Sequence, residues 1–335
     1  MTGEAAMDHA LIEIDGLTKQ FSINAAKGLK RQRFAAVNDV SFNIRRGEVF
    51  GLVGESGCGK STLAMLTLRL TDATAGAVRY EGEDIMKMSQ ARLRQLRRNM
   101  QIVFQDPYDS LDPRFSLRRI LEEPLIVGHY GTAEQRQARI EALMGDVGLP
   151  VSLLKRYPHQ LSGGQRQRLC IARALALSPT FLVLDEAVAA LDVSIQSQIL
   201  NLLLDLKDEF NLTYLFISHN LAVVKFISDR IGVMYFGRLV ELAEKEELFR
   251  NVQHPYTYAL LSAVPEPDPD SVRSREILRS GVPSLINPPS GCAFHPRCRY
   301  ATEECKQKTP SLRDIGGGHL VACHRAGIVG KGAAQ

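Results

Sequence analysis

The sequence contains no apolar run that approaches the roughly 20 residues needed to cross a bilayer. Its longer apolar segments, such as residues 213–218, have the length of a single strand. The N-terminal residues lack the apolar centre of a secretory signal peptide. A net charge of +4 is too small to indicate nucleic-acid binding by itself. We therefore expect a cytosolic protein that works at a membrane only by docking onto a partner that spans it.

The composition is that of an ordinary globular protein, with 45% hydrophobic and 23% charged residues in a chain of 335. A small, partly antiparallel sheet is predicted first. Apolar strands then alternate with amphipathic helices, which indicates an α/β core with a parallel sheet. Residues 91–177 are mostly helical in pattern. Six prolines between residues 265 and 289 indicate a linker or extended tail, so we place a domain boundary near residue 264.

A glycine-rich segment follows the short apolar strand at residues 49–53 and precedes a helix predicted over residues 61–70. It consists of Gly54, Glu55, Ser56, Gly57, Cys58, Gly59, Lys60, Ser61 and Thr62. This is the pattern of a nucleotide-binding phosphate loop. Its backbone N–H groups surround the α- and β-phosphates, Lys60 reaches the β- and γ-phosphates, and the Ser61 hydroxyl binds Mg²⁺. The alternative is a strand-to-helix turn without a ligand, but strand, loop, lysine, hydroxyl and helix all occur in order.

A second glycine-bearing turn lies about 100 residues later and contains Leu161, Ser162, Gly163, Gly164 and Gln165. Its glycines allow backbone N–H groups to approach an anion closely, and a helix predicted from about Gln165 to Leu177 points its positive end at the turn. This pattern predicts a second phosphate site. One phosphate chain does not obviously need two such sites.

Polar side chains follow three apolar strands. Asp185 and Glu186 end the strand at residues 181–185, where the first carboxylate can hold Mg²⁺ and the second can polarise an attacking water. His219 follows the strand at residues 214–218 and can hydrogen-bond the γ-phosphate. Gln105 follows residues 102–104 and can contact Mg²⁺ or water. Taken singly, each is more often a surface residue; their position after apolar strands favours function.

In this order, the motifs resemble the nucleotide-binding subunit of ABC transporters over about residues 10–264. The resemblance implies a P-loop NTPase fold with a RecA-like core, an antiparallel β-subdomain and a helical subdomain at about 91–177. It also implies that the 161–165 turn is the signature, which binds the ATP held by a partner subunit. Asp192 falls on the D-loop, although Ala187 and Ala189 stand where relatives usually have proline and serine. The adenine-stacking aromatic falls on Phe21, with Phe34 as its rival.

Further segments narrow the resemblance to the oligopeptide/dipeptide importer branch, and most of all to the second of its two ATPase subunits. These segments are residues 54–61, 254–257, 263–265 and 291–298. The branch implies a C-terminal extension, here residues 265–335, and import of peptides or related small solutes. It implies a second ATPase in a homodimer or heterodimer, two membrane permeases and a periplasmic or extracellular substrate-binding protein. The chain would then lie at the cytoplasmic face of a bacterial inner membrane as a peripheral protein, with no nucleic-acid partner.

Four of the six cysteines lie in the predicted extension, at Cys292, Cys298, Cys305 and Cys323. A disulfide is not expected in the cytosol. From the residues alone, the four cysteines could bind Zn²⁺, bind a [4Fe–4S] cluster or remain free thiols. The short C-x2-C spacing that is common in zinc sites is missing. Relatives in the importer branch hold an iron–sulfur cluster at a similar tail, so the resemblance favours iron over zinc.

Two other functions compete with transport. One is a soluble ABC ATPase that acts on ribosomes or DNA and has a metal-binding tail, but the chain has one cassette and no long heptad run. The other is a P-loop kinase for a small molecule, which leaves residues 161–165 without a role. We expect an ATPase that uses ATP and Mg²⁺ to energise import.

Overall fold

The computed structural model describes residues 10–23, 32–263 and 284–328. The strands are β1 (Ala10–Ile23), β2 (Gln32–Arg45), β3 (Val49–Val53), β4 (Ala75–Tyr80), β5 (Glu83–Asp84), β6 (Met100–Val103), β7 (Phe181–Asp185), β8 (Thr213–Ser218), β9 (Arg230–Tyr235), β10 (Arg238–Glu244), β11 (Arg313–Asp314) and β12 (Leu320–Val321). The helices are α1 (Lys60–Thr67), α2 (Gln90–Leu96), α3 (Pro107–Ser110), α4 (Leu117–Val127), α5 (Ala133–Asp146), α6 (Gly163–Leu175), α7 (Val193–Phe210), α8 (Leu221–Ile227), α9 (Lys245–Arg250), α10 (Pro255–Ser262) and α11 (Glu303–Gln307).

The chain divides into two compact units that interleave in sequence. Among the described residues, the first unit comprises 10–11, 44–49 and 87–217, and the second comprises 12–23, 32–43, 50–86, 218–263 and 284–328. The described part of the predicted extension, residues 284–328, therefore belongs to the second unit.

The first unit is built on parallel strands with helices from residues 87–210. β7 pairs in parallel with β6 on one side and with β8 on the other, so that Val183 lies between Ile102 and Leu215. Every residue of β7 is buried, as expected for a strand covered on both faces by helices. The parallel sheet predicted from the apolar strands is thus confirmed, and it brings the strand ends at residues 103 and 185 to one edge.

The second unit contains parallel and antiparallel strand pairs. The Phe50–Val53 part of β3 pairs in parallel with β9, which turns at Gly237 into antiparallel β10. Strands β9 and β10 thus form an antiparallel hairpin. A second sheet has the strand order β2-β1-β4-β5, and β1 is antiparallel to β4. This agrees with the small, partly antiparallel sheet predicted near the start of the chain.

The C-terminal residues of the second unit extend its sheet. β12 pairs antiparallel with β10 and β11 pairs with β12, and the N–H of Ala322 donates to the Val240 carbonyl at 2.8 Å. The predicted boundary near residue 264 falls outside the described residues, so the domain limits stay a prediction. No helix among the described ranges is long and apolar enough to cross a membrane.

Candidate nucleotide-binding site

The phosphate loop connects β3 to α1 and is tightly packed at its glycines. Helix α1 begins at Lys60, one residue earlier than predicted, and its N-cap Gly59 has a φ of 107°. A Cβ atom on Gly59 would lie 2.1 Å from the Ala36 carbonyl oxygen. Only glycine fits this position, because an L side chain would suffer both the strained φ and the clash. The helix N-terminus and the narrow loop match what a bound phosphate chain requires.

The loop lysine is buried, with 4% of its surface exposed. Lys60 Nζ donates hydrogen bonds to the carbonyl oxygens of Gly54 at 2.8 Å and Glu55 at 3.1 Å. These bonds hold the Lys60 ammonium against the backbone of its own loop, where a phosphate-binding lysine acts. The described residues therefore fit the phosphates of a nucleotide.

Asp185 and Glu186 lie where β7 ends, as predicted. Asp185 is buried, and Glu186 is half-buried with a φ of 49°. Left-handed backbone is unfavourable for a glutamate and costs about 1–2 kcal/mol. The Glu186 N–H donates to the Ile217 carbonyl at 2.9 Å and holds this conformation. Gln105 is exposed after β6 in the same unit.

The signature turn is capped by its own side chains. The N–H of Gln165 donates to the Ser162 hydroxyl at 3.3 Å, and the N–H of Ser162 donates to the Gln165 amide oxygen at 3.0 Å. This capping box starts α6 at Gly163, two residues before the predicted start. A Cβ on Gly164 would lie 2.7 Å from Ile195 Cγ2 of α7. The first turn of α6 thus packs against α7 through glycine.

The predicted D-loop lies between β7 and α7. Ala187 and Val188 are buried, and Asp192 is the N-cap residue of α7 without a side-chain capping bond. Val193 is 79% exposed although it is apolar. An exposed apolar residue beside the D-loop is consistent with a surface that a partner covers.

The remaining predicted residues lie in the second unit. His219 is exposed and is followed by Asn220, which caps α8. The ring centroids of Phe21 and Phe34 are 5.7 Å apart, and Phe21 is 38% exposed. Both candidates for the adenine contact therefore lie at one place, and the assignment of Phe21 stays a prediction.

The fold distributes the predicted residues between the two units. The first unit contains Gln105, Leu161, Ser162, Gly163, Gly164, Gln165, Asp185, Glu186 and Asp192, and the second contains Phe21, Gly54–Thr62, His219 and the four cysteines of the extension. Parallel-strand pairing explains why the strand-end residues of the first unit share one edge of its sheet.

The four cysteines of the extension converge although they are far apart in sequence. Cys292, Cys298, Cys305 and Cys323 all line one small cavity and are free thiols. Burial raises the pKa of Cys298 to about 12 and the pKa of Cys323 to about 11. A raised pKa favours the protonated form of a free thiol.

The sulfurs of this cavity also have local hydrogen-bond contacts. Cys305 Sγ lies 3.4 Å from the Thr302 hydroxyl, and Cys323 Sγ accepts from the Arg325 N–H at 3.3 Å. Within the parts of the chain that the structure describes, no three histidine, cysteine, aspartate or glutamate side chains are arranged to hold a metal ion. The expectation of an assembled four-cysteine metal site at these positions therefore finds no support in the described residues.

Comparison with known proteins identifies the family. Residues 37–189 match the family described as ABC transporter, and residues 240–305 match the oligopeptide/dipeptide transporter C-terminal region. The oligopeptide transport ATP-binding protein AppF of Bacillus subtilis (strain 168) is 48% identical over 326 residues, covering 96% of this chain and 98% of AppF. The chain belongs to the ATP-binding subunits of oligopeptide/dipeptide ABC transporters.

Solved structures agree with this ABC subunit in fold. The dimeric ATP-binding cassette MJ0796, bound to ADP and Pi, has a TM-score of 0.62 and 29% identity, covering 70% of this chain and 98% of that chain. CbiO1 from Clostridium perfringens, part of the transporter complex cbiONQ, has a TM-score of 0.62 and 27% identity, covering 72% and 91%. The predicted ABC-type nucleotide-binding fold and ATPase class are thereby confirmed, and the ribosome or DNA alternative is not supported.

Two residues that contact the phosphate loop of this ABC subunit were not singled out from the sequence. Tyr256 and Arg297 both reach Glu55, from 201 and 242 residues away in the chain. Both lie in segments that resemble the importer branch, at 254–257 and 291–298. The resemblance identified these two segments, but nothing in the sequence indicated that they contact the phosphate loop.

Proposed function

We propose that this subunit hydrolyses ATP to energise the import of peptides or related small solutes. The observation that carries the proposal is a phosphate loop with a buried lysine in a chain whose residues 240–305 match the oligopeptide/dipeptide transporter C-terminal region. The name of AppF, an oligopeptide transport ATP-binding protein, supports the same cargo class.

The predicted motif residues take these roles in the proposal. Lys60 neutralises the β- and γ-phosphates, and loop N–H groups with Ser61 bind the phosphates and Mg²⁺. Asp185 and Gln105 complete the Mg²⁺ shell, directly or through water. Glu186 polarises the attacking water. The place of Glu186 directly after the end of β7 supports this role.

The other predicted residues complete the proposal. His219 contacts the γ-phosphate, Phe21 stacks on adenine, and Asp192 and the 161–165 turn act across a dimer seam on the ATP of the partner. The capped, glycine-bearing start of α6 supports the last role, because a helix N-terminus attracts phosphate.

We propose the assembly that this branch implies: a second ATPase subunit, two permeases and a substrate-binding protein outside the cell membrane. The subunit would lie at the cytoplasmic face of the inner membrane, with cassette residues 10–264 and extension 265–335. The dimeric state named for the MJ0796 cassette supports the pairing of two ATPases.

We further propose that the extension binds metal, with [4Fe–4S] favoured over zinc. Four thiols are the donor set of either group, and here all four line one cavity. Binding must deprotonate thiols whose pKa burial has raised and must move them into ligating positions. Anaerobic purification with absorbance near 400 nm and iron, sulfide and zinc analysis tests this. A colourless, metal-free and folded protein contradicts it.

The test of the main proposal uses the complex purified from detergent-solubilised membranes. Glu186→Gln should abolish ATP turnover while ATP binding persists, because the amide cannot polarise water. Glu209→Gln, an exposed change on α7, is the matched control and should keep normal turnover. Normal hydrolysis by Glu186→Gln would refute the assignment of the base. Co-purification of RNA or DNA instead of permeases would refute the transport function.

A further inference from the structure

The extension reaches the phosphate loop through one ion pair. Arg297 Nη1 and Nη2 donate to the two carboxylate oxygens of Glu55 at 2.7 and 2.9 Å. Arg297 is 7% exposed, and the Glu55 side chain is 24% exposed. A bidentate, largely buried pair of this kind fixes both position and orientation, unlike an exposed pair.

Arg297 is held by aromatic residues of the second unit. Its guanidinium lies 5.9 Å from the Tyr235 ring centroid, and the backbone N–H of Arg297 donates to the Phe294 carbonyl at 3.0 Å. The Phe294 ring meets that of Tyr235 edge-on at 5.3 Å. The arginine is therefore preorganised, and little side-chain freedom is lost when it pairs with the loop.

Glu55 is in turn held at three points. Its carboxylate accepts from Arg297, its N–H donates to the Tyr256 hydroxyl at 2.9 Å, and its carbonyl accepts from Lys60 Nζ at 3.1 Å. The Tyr256 ring packs 4.5 Å from Tyr235, beside the arginine. A continuous path of contacts thus runs from Arg297 through Glu55 to the lysine that binds phosphate.

We propose that Arg297 is a positioning residue for the phosphate loop, and that through Glu55 it sets the place of the Lys60 ammonium for the phosphates of ATP. It does so without touching the nucleotide. The proposal rests on the ATPase function above and adds a role for the extension in it. Residues 284–328 then hold the loop in its binding form as well as extend the sheet.

The experiment is a double-mutant cycle on the full chain. Arg297→Met and Glu55→Gln each break the pair from one side, and we expect each to weaken equilibrium ATP binding about tenfold, the usual size of coupling between sites. The double variant should bind no more weakly than either single variant, because all three lack the same pair. Arg297→Lys should recover part of the affinity, since an ammonium restores charge but not the bidentate geometry.

Matched measurements separate positioning from simple support of the fold. Arg299→Met removes an exposed arginine of the same segment, which stacks on the Tyr300 ring at 4.9 Å, and should leave ATP affinity unchanged. In the purified importer, the pair variants should raise KM for ATP more than they lower kcat. Thermal unfolding of each variant shows whether affinity and stability change together.

Two outcomes overturn the proposal. One is equal ATP affinity in the wild type and all pair variants. The other is a loss that follows thermal stability and adds across the double variant, which assigns the pair to folding alone. Either can occur while the wild type hydrolyses ATP normally. Failure of the wild type to bind ATP at all would instead refute the ATPase function.

Discussion

The buried side chain of His319 joins the β11–β12 pair to β10 and α9 within the second unit. His319 is 1% exposed, and its Nε2 lies 2.9 Å from Glu241 Oε1 while its Nδ1 lies 3.4 Å from Glu247 Oε1. Only the protonated ring has two N–H donors for two carboxylates. Burial lowers the pKa of His319, but the hydrogen bonds and charges of Glu241 and Glu247 together outweigh this effect and the pKa is raised.

The replacement His319→Gln keeps one amide donor but removes the charge. Glu241 is fully buried, and its oxygens also accept the N–H groups of Gln253 at 2.7 Å and His254 at 3.1 Å. Removing one partner of a buried pair costs about 3–5 kcal/mol. Because the amide retains one hydrogen bond, we expect about 3 kcal/mol, which corresponds to roughly 100-fold faster local opening.

Hydrogen exchange of peptides that contain β12 measures this opening. The N–H of Ala322, bonded to β10, is a suitable reporter. His159→Gln, at an exposed histidine of the first unit, is the control and should not change exchange at β12. The added change Glu241→Gln should recover part of the loss, because it removes the unpaired buried charge. Acceleration of less than about threefold in His319→Gln would refute the reasoning.

The stability that the His319 contacts provide should decrease as the pH rises. The pKa of folded His319 lies above the ordinary value of 6.5, so its stabilisation is complete below that value and is lost as pH rises through the folded pKa. After correction for intrinsic exchange, protection of β12 in the wild type should fall with rising pH above neutrality. His319→Gln should lack this fall, and an equal fall in both proteins would contradict the assignment.

Three further predictions concern packing. Gly59→Ala should abolish equilibrium ATP binding, since its Cβ would lie 2.1 Å from the Ala36 carbonyl oxygen; near-normal binding would contradict this. Gly164→Ala should lower the free energy of unfolding in denaturant by about 1–3 kcal/mol. Adding Ile195→Ala should relieve the clash, and an equal loss of stability in the double variant would disprove the contact. Tyr214→Phe should lower the free energy of unfolding by about 1 kcal/mol, because the buried Tyr214 hydroxyl donates to an α7 carbonyl at 2.9 Å. An unchanged unfolding midpoint would refute this prediction.

Local spacing predicted the elements to which we assign nucleotide chemistry. The loop at 54–62 and the strand ending in Asp185 are short contiguous patterns, because phosphate binding needs neighbouring backbone groups. The parallel sheet followed from fully apolar strands such as β7. Helix limits shifted by one to three residues, since caps such as Ser162 decide where a helix starts.

Strand periodicity and local motif spacing in the sequence indicated the α/β core and the phosphate loop, and the order of the motifs carried the resemblance to ABC subunits. Only the tertiary structure showed that Arg297 pairs with Glu55, which lies 242 residues away in the chain. It also showed that His319 lies between two carboxylates and that the backbone of Glu186 is left-handed. These features depend on which distant segments meet when the chain folds back on itself. No spacing or periodicity encodes such contacts, whose partners are set by packing of the whole unit.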